Sequence, residues 1–203
     1  MTPSPRVGVF GGAFDPPHRA HVALAQAAIE QLQLDELRIL PTGNAWHRAQ
    51  ALAPAQHRLA MARIAFSQLP KTTLDERELL RAGPSYTVDT LRELQAERPS
   101  AQIFLVVGED QALTLTRWHE WETIVRMATI CFAARPDASS HATLVPEGLP
   151  AQAQVRLLRL PSMPESATEV RARVAQHQNV AHLVAPGVAS YIEHHHLYQH
   201  QEH

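Results

Sequence analysis

Between residues 11 and 21 the chain reads Gly-Gly-Ala-Phe-Asp-Pro-Pro-His-Arg-Ala-His. The run joins two glycines to a proline-rich turn and to two histidines three residues apart. Paired glycines, Gly11 and Gly12, let a backbone approach a phosphate closely. A helix opening near His18 would add N–H groups without carbonyl partners and a positive dipole end. His18 and His21, three apart on its first turn, would then face the same anion. For a glycine pair alone the competing reading is a tight strand-to-helix turn with two solvated histidines.

Other phosphate motifs are excluded. No G-x-G-x-x-G follows the first apolar run, and a P-loop needs Gly-Lys-Ser/Thr, whereas the only lysine is Lys71, preceded by Pro70. Apart from Asp15, no third cysteine, histidine or acid stands near His18 and His21 at ligand spacing, so no protein metal site is expected there. The histidines near the end of the chain, in Glu193-His-His-His196 and at His200 and His203, read as a polar helix end. Consecutive histidines on a helix point in different directions, and Leu197 and Tyr198 continue the apolar pattern past the triplet.

The elements that must position these residues alternate between short apolar runs and helical patterns, the signature of a parallel sheet wrapped by helices. Strands are predicted at 6–10, 36–40, 72–74, 103–107, 129–133 and 155–160. Helices are predicted at about 18–32, 55–66, 87–97, 110–115, 120–125, 166–174 and 188–197, with Thr87 as a cap for the third. The strongest strand, Ile103-Phe-Leu-Val-Val107, ends at Gly108. The stretch 136–150 reads as a surface loop. The expected fold class is α/β, a single-domain doubly wound parallel sheet with helices on both faces spanning 1–203, with a helical C-terminal part from about 166.

Composition fits that frame. With 203 residues and 45% hydrophobic content, the chain is long enough for one substantial core. A formal charge of −2, from 18 basic and 20 acidic residues, gives no global reason to bind nucleic acid or an anionic membrane, so phosphate recognition must be local. The single cysteine, Cys131, lies in an apolar run and reads as a buried small hydrophobe. No signal peptide and no membrane-length apolar run is seen, so a cytoplasmic, soluble protein is expected.

The Gly11–His21 segment resembles the (H/T)xGH phosphate motif of the nucleotidyltransferase superfamily, in the GGTFDPxHxGH form of nicotinate- and nicotinamide-mononucleotide adenylyltransferases. Ala13 replaces a threonine and Ala20 a glycine. Further segments resemble that family in the right order. Pro41-Thr-Gly-Asn-Ala-Trp-His-Arg48 is similar to its loop after the second strand, with Ala45 and Trp46 as departures. Leu74-Asp-Glu-Arg-Glu78 and Gly83-Pro-Ser-Tyr-Thr-Val-Asp-Thr-Leu91 resemble a segment of the bacterial nicotinate-mononucleotide enzymes. Gly108-Glu-Asp110, Trp118-His-Glu-Trp121 and Ser166-Ala-Thr-Glu-Val-Arg171 resemble its G-x-D, W-x-x-[WY] and SxTxxR elements.

The resemblance implies transfer of the adenylyl group of ATP to nicotinate mononucleotide in NAD biosynthesis, with pyrophosphate released. His18, His21 and Arg171 would be catalytic. Gly11, Gly12, Phe14, Gly108, Asp110, Ser166 and Thr168 would join them in binding ATP. His47, Arg48, Tyr86, Thr87, Trp118 and His119 would bind the mononucleotide. Mg²⁺ would travel with ATP, held by phosphate oxygens and water. The implied partners are these two substrates, with no nucleic acid and no membrane, and the oligomeric state is left open. The alternatives are another enzyme of the superfamily, such as a phosphopantetheine adenylyltransferase or a cytidylyltransferase, or a nucleotide sensor without catalysis. The GPSYTxxTL and WxxW elements weigh against the first, and joint retention of His18, His21 and Arg171 against the second.

Overall fold

A computed structural model describes residues 3–43, 52–134 and 148–199. Six strands, β1 (Arg6–Gly12), β2 (Glu36–Pro41), β3 (Thr72–Leu74), β4 (Gln102–Val107), β5 (Ala128–Ala134) and β6 (Val155–Arg159), form one sheet in the order β3-β2-β1-β4-β5-β6. Every pairing is parallel. The strand order reverses beside β1, with β2 on one flank and β4 on the other, and such a switch point opens a crevice at the carboxyl ends of the strands.

The helices are α1 (Arg19–Gln31), α2 (Ala55–Phe66), α3 (Arg77–Leu80), α4 (Thr87–Glu97), α5 (Glu109–Leu113), α6 (Trp121–Met127), α7 (Ala167–Ala175) and α8 (Pro186–His194), with a 3-10 turn at Leu115–Arg117. Successive strand residues point to opposite faces, and the core divides accordingly. Phe10, Ile39, Phe104 and Val106 join residues of α1, α2, α7 and α8 on one face. Val9, Leu40, Leu105 and Val107 join residues of α4, α5 and α6 on the other. Central strands buried on both faces read as unbroken apolar runs for this reason. Cys131 lies wholly inside, and burial pushes its thiol up to about 12.

The expected bounds of α2, β3 and α4 are those observed. Strand β1 continues through Gly11 and Gly12, so the glycines end a strand. Thr87 is the first residue of α4, and its cap is Tyr86. Helix α8 begins two residues earlier than expected, with Pro186 in its first turn, where a missing N–H costs nothing. Short α3 and the 3-10 turn were not expected. Most of the 136–150 stretch lies outside the described residues. No helix among the described residues is long and apolar enough to cross a membrane.

Candidate active site

A cavity of about 1030 Å³ opens at the switch point, lined from the ends of β1 and β4 and from the segments that follow them. At one end of the lining stand Gly11, Gly12, Phe14, Asp15, His18 and His21, with Ser166 and Arg171 from the start of α7. Further lining comes from Gly108 and Asp110 after β4, and from Tyr86, Thr87, Trp118 and His119. Six sequence segments expected to share a site therefore do so where they are described. His47 and Arg48 lie outside the described residues. Thr168 is not among the lining residues, and its hydroxyl lies 3.4 Å from Arg171 Nη2 as acceptor.

His18 caps α1, and its N–H donates to Nδ1 of His21 at 3.1 Å. This is half of a capping box with histidine in place of the usual glutamate. With Nδ1 of His21 accepting, the proton of its neutral ring sits on Nε2, which is left as a donor. The two rings lie 3.7 Å apart between centroids. Burial holds His18 down at about 4, and burial together with His18 holds His21 well below its ordinary value. The solvated pair that a glycine turn alone would allow is thus absent: His18 is only 9% exposed, and its Nδ1 has no hydrogen-bond partner.

The turn between β1 and α1 is held from several directions. Phe14 adopts φ 48°, a left-handed conformation that costs a side-chain-bearing residue roughly 1–2 kcal/mol. Its ring is anchored 5.5 Å from Phe10 and 5.4 Å from Phe66, edge to face. Arg58 of α2, only 3% exposed, donates to the carbonyls of Ala13 and Thr42. Arg171 Nη1 donates to the carbonyl of Asp15 at 2.7 Å. Ser166 caps α7 by accepting from the N–H of Glu169, and its hydroxyl proton can still be donated elsewhere.

Around Tyr86 and Trp118 the site is built from two turns. Thr87, at the start of α4, has an N–H with no carbonyl one turn back. The N–H of Trp118 is taken by the carbonyl of Leu115, and His119, the next residue, lines the cavity. Tyr86 and His119 stack at 4.2 Å. Arg92 of α4 pairs with Glu120, tying the two turns together. Buried Glu78 also lines the cavity and accepts from Thr90 at 2.9 Å. Burial raises its carboxyl above its ordinary value, against the bond from Thr90 and the nearby Arg81 charge, which lower it.

Asp15 and Glu78 stand inside motifs quoted from the sequence but carry no site role there, and Arg58 lies outside every motif. Arg58 falls on the buried stripe of α2 with Met61, Ala62 and Ala65, where an arginine is itself a signal of a fixed partner. Among the described residues, no three metal-binding side chains converge.

Donors and cations gathered at the carboxyl ends of a parallel sheet define a nucleotide-handling α/β fold, and the cytidylyltransferase-like family model matches residues 9–173. A protein of Albidiferax ferrireducens named "Probable nicotinate-nucleotide adenylyltransferase" is 54% identical over 194 residues, covering 96% of this chain and 98% of that one. A Methylibium petroleiphilum protein of the same name is 40% identical over 201 residues, 97% and 94% of the two chains. The chain belongs to the nicotinate-nucleotide adenylyltransferase family, within the cytidylyltransferase-like proteins. Its fold is similar to that of Plasmodium falciparum nicotinic acid mononucleotide adenylyltransferase complexed with NaAD, at TM-score 0.78 and 18% identity over 96% of this chain and 97% of that one.

Proposed function

We propose that this cavity binds ATP and nicotinate mononucleotide side by side and carries out the family's reaction with His18, His21 and Arg171 as its catalytic groups. The enzyme transfers the adenylyl group of ATP to nicotinate mononucleotide, giving nicotinate adenine dinucleotide and pyrophosphate. A phosphate oxygen of the mononucleotide bonds to the α-phosphorus, the bond from that phosphorus to the bridging oxygen breaks, and its electron pair leaves with pyrophosphate. The attacking phosphate is already ionised at neutral pH, so no side-chain base is needed. Catalysis rests on positioning and on stabilising charge.

The observation that carries this reading is the hydrogen-bonded His18–His21 pair at the α1 N-terminus, lining the same cavity as Arg171. Two neutral imidazoles present N–H donors, and Arg171 adds a fixed cation. His18 would contact the α-phosphate, His21 the β-phosphate, and Ser166 the leaving phosphates. Thr168 would act one step back, through Arg171. Gly11, Gly12 and Phe14 shape the floor beneath the phosphates. Gly108 and Asp110 would take the ribose and adenine. Tyr86, Thr87, Trp118 and His119 would take the pyridine ring and its carboxylate, with His47 and Arg48 on the mononucleotide phosphate.

Mg²⁺ is part of the proposal as the metal carried by ATP, supplying charge neutralisation on the phosphates. Since no protein ligands converge among the described residues, its shell would be phosphate oxygens and water. Glu165, whose buried Oε2 at the cavity wall lacks a hydrogen-bond partner, is suited to receive a bond from such a water. We further propose that residues 1–203 act as one nucleotidyltransferase domain, with a helical C-terminal part from about 166.

Steady-state kinetics of His18→Ala test the reading. Turnover should fall about 100-fold or more while KM for ATP moves little, because the contact strengthens in the transition state. Near-normal turnover with a raised KM would remove His18 from catalysis.

A further inference from the structure

We propose that Tyr198, close to the far end of the chain, is a positioning residue for adenylyl transfer: through Asp15 it fixes the turn that carries His18 and orients Arg171. The inference rests on the assignment of His18 and Arg171 above.

Asp15 is only 4% exposed and three residues before His18. Its side-chain Oδ1 accepts from the Tyr198 hydroxyl at 2.7 Å, across 183 residues of chain, and from the N–H of Ala53 at 3.3 Å. Its carbonyl oxygen accepts from Arg171 Nη1 at 2.7 Å. One residue thus holds both the cation proposed to act on the phosphates and the tail hydroxyl. Rotation of Asp15 would move Arg171 and the approach to His18 together. Arg58 fixes the same turn two residues earlier, at Ala13, so the Tyr198 bond completes a clamp on the segment between the strand and the helix.

Tyr198 is suited to this work and to little else visible. It follows α8, adopts φ 63° where glycine or asparagine is the easier residue, and packs its ring against the core. Burial and the Asp15 carboxylate raise its hydroxyl far above the ordinary range, so it remains a neutral donor at any working pH. It does not line the cavity, which makes its effect indirect.

The test compares Tyr198→Phe, Tyr191→Phe and Asp15→Ala in the full-length protein. Tyr191, on α8 ahead of Tyr198, shares a hydrogen bond with His57 at 3.0 Å and serves as the control for lost stability. With assays run well below each melting temperature, Tyr198→Phe should lower kcat about tenfold and leave KM for nicotinate mononucleotide within about twofold. Tyr191→Phe should keep parental kcat. Asp15→Ala should slow kcat at least as much as Tyr198→Phe, and adding the second change to the first should cost less than about twofold more. Parental kcat in Tyr198→Phe, equal losses in both tyrosine variants, or multiplicative losses in the double variant would overturn the proposal. Should Tyr198→Phe not fold, parental kcat in Asp15→Ala would overturn it and a slowed one would uphold it. His18→Ala, assayed alongside, separates the two levels: normal turnover there overturns the site assignment itself, whereas a slow His18→Ala beside a normal Tyr198→Phe overturns only the role of the tail.

Discussion

Helix caps favour Ser, Thr, Asp and Asn, and α1 begins instead on His18, whose N–H is taken by the ring of His21. The choice makes sense only if the ring nitrogens left over are needed by something else, since a carboxylate there would repel a phosphate. Keeping both rings neutral has a consequence for stability. The folded value of His18 lies at about 4, below the 6.5 of an unfolded histidine. The unfolded chain therefore binds the proton first as pH falls, and stability that is complete above 6.5 is lost progressively down through 4. For His18 this amounts to roughly 2 kcal/mol between pH 8 and pH 5, and His21, shifted the same way, adds to it. Urea denaturation at the two pH values should show the loss, and His18→Gln should shrink it by about 2 kcal/mol. An unchanged difference in the variant would mean that His18 is not held neutral by the fold.

Among the elements, the least regular one positions the end of the cavity proposed to take the pyridine ring. A β-carbon on Gly43, just after β2, would lie 1.9 Å from the carbonyl oxygen of Glu78 and 2.7 Å from Ser85 Oγ. The first contact is with backbone, which cannot swing aside. Gly43→Ala should therefore push α3 and the start of α4 outward, costing about 2 kcal/mol or more and lowering Tm by roughly 4–8 °C. Because Tyr86 and Thr87 ride on that segment, KM for nicotinate mononucleotide should rise more than KM for ATP, as calorimetry and initial rates would check; an unaltered Tm would show that the segment yields freely. This contact was illegible in the sequence, although the long elements were not. Apolar runs such as Ile103–Val107 and the stripe Val88, Leu91, Leu94 name their own conformation, because burial on both sheet faces or on one helix face leaves a periodic trace. Arg77–Leu80 is too short to leave one, and Thr87 looked like a cap because the residue before it, Tyr86, is a poor one by type. Tyr198 read only as the continuation of an apolar pattern. Its bond to Asp15 joins residues 183 apart, and no local signal encodes that.

At the scale of the whole molecule, one switch point in a six-stranded parallel sheet gathers the ends of β1 and β4 with the approaches to α1, α4 and α7 around a single crevice. The motifs were legible because phosphate and pyridine recognition demand particular residues at fixed places. The contacts that hold those motifs together were not, because many kinds of residue can supply them. On the proposed site assignment, specificity would follow from the backbone amides beside Trp118. The amides of Thr87 and His119 are donors, suited to a carboxylate, and the α4 dipole favours an anion at the same spot. A carboxamide would turn its NH₂ toward N–H groups and forfeit a hydrogen bond, a loss of roughly 1–3 kcal/mol, or about tenfold to somewhat over a hundredfold in specificity. The decisive measurement is kcat/KM for pyrophosphate release from ATP with nicotinate mononucleotide and with its amide counterpart under identical Mg²⁺ conditions. A preference for the acid of about tenfold or more is the predicted result, and equal values or a preference for the amide would contradict it.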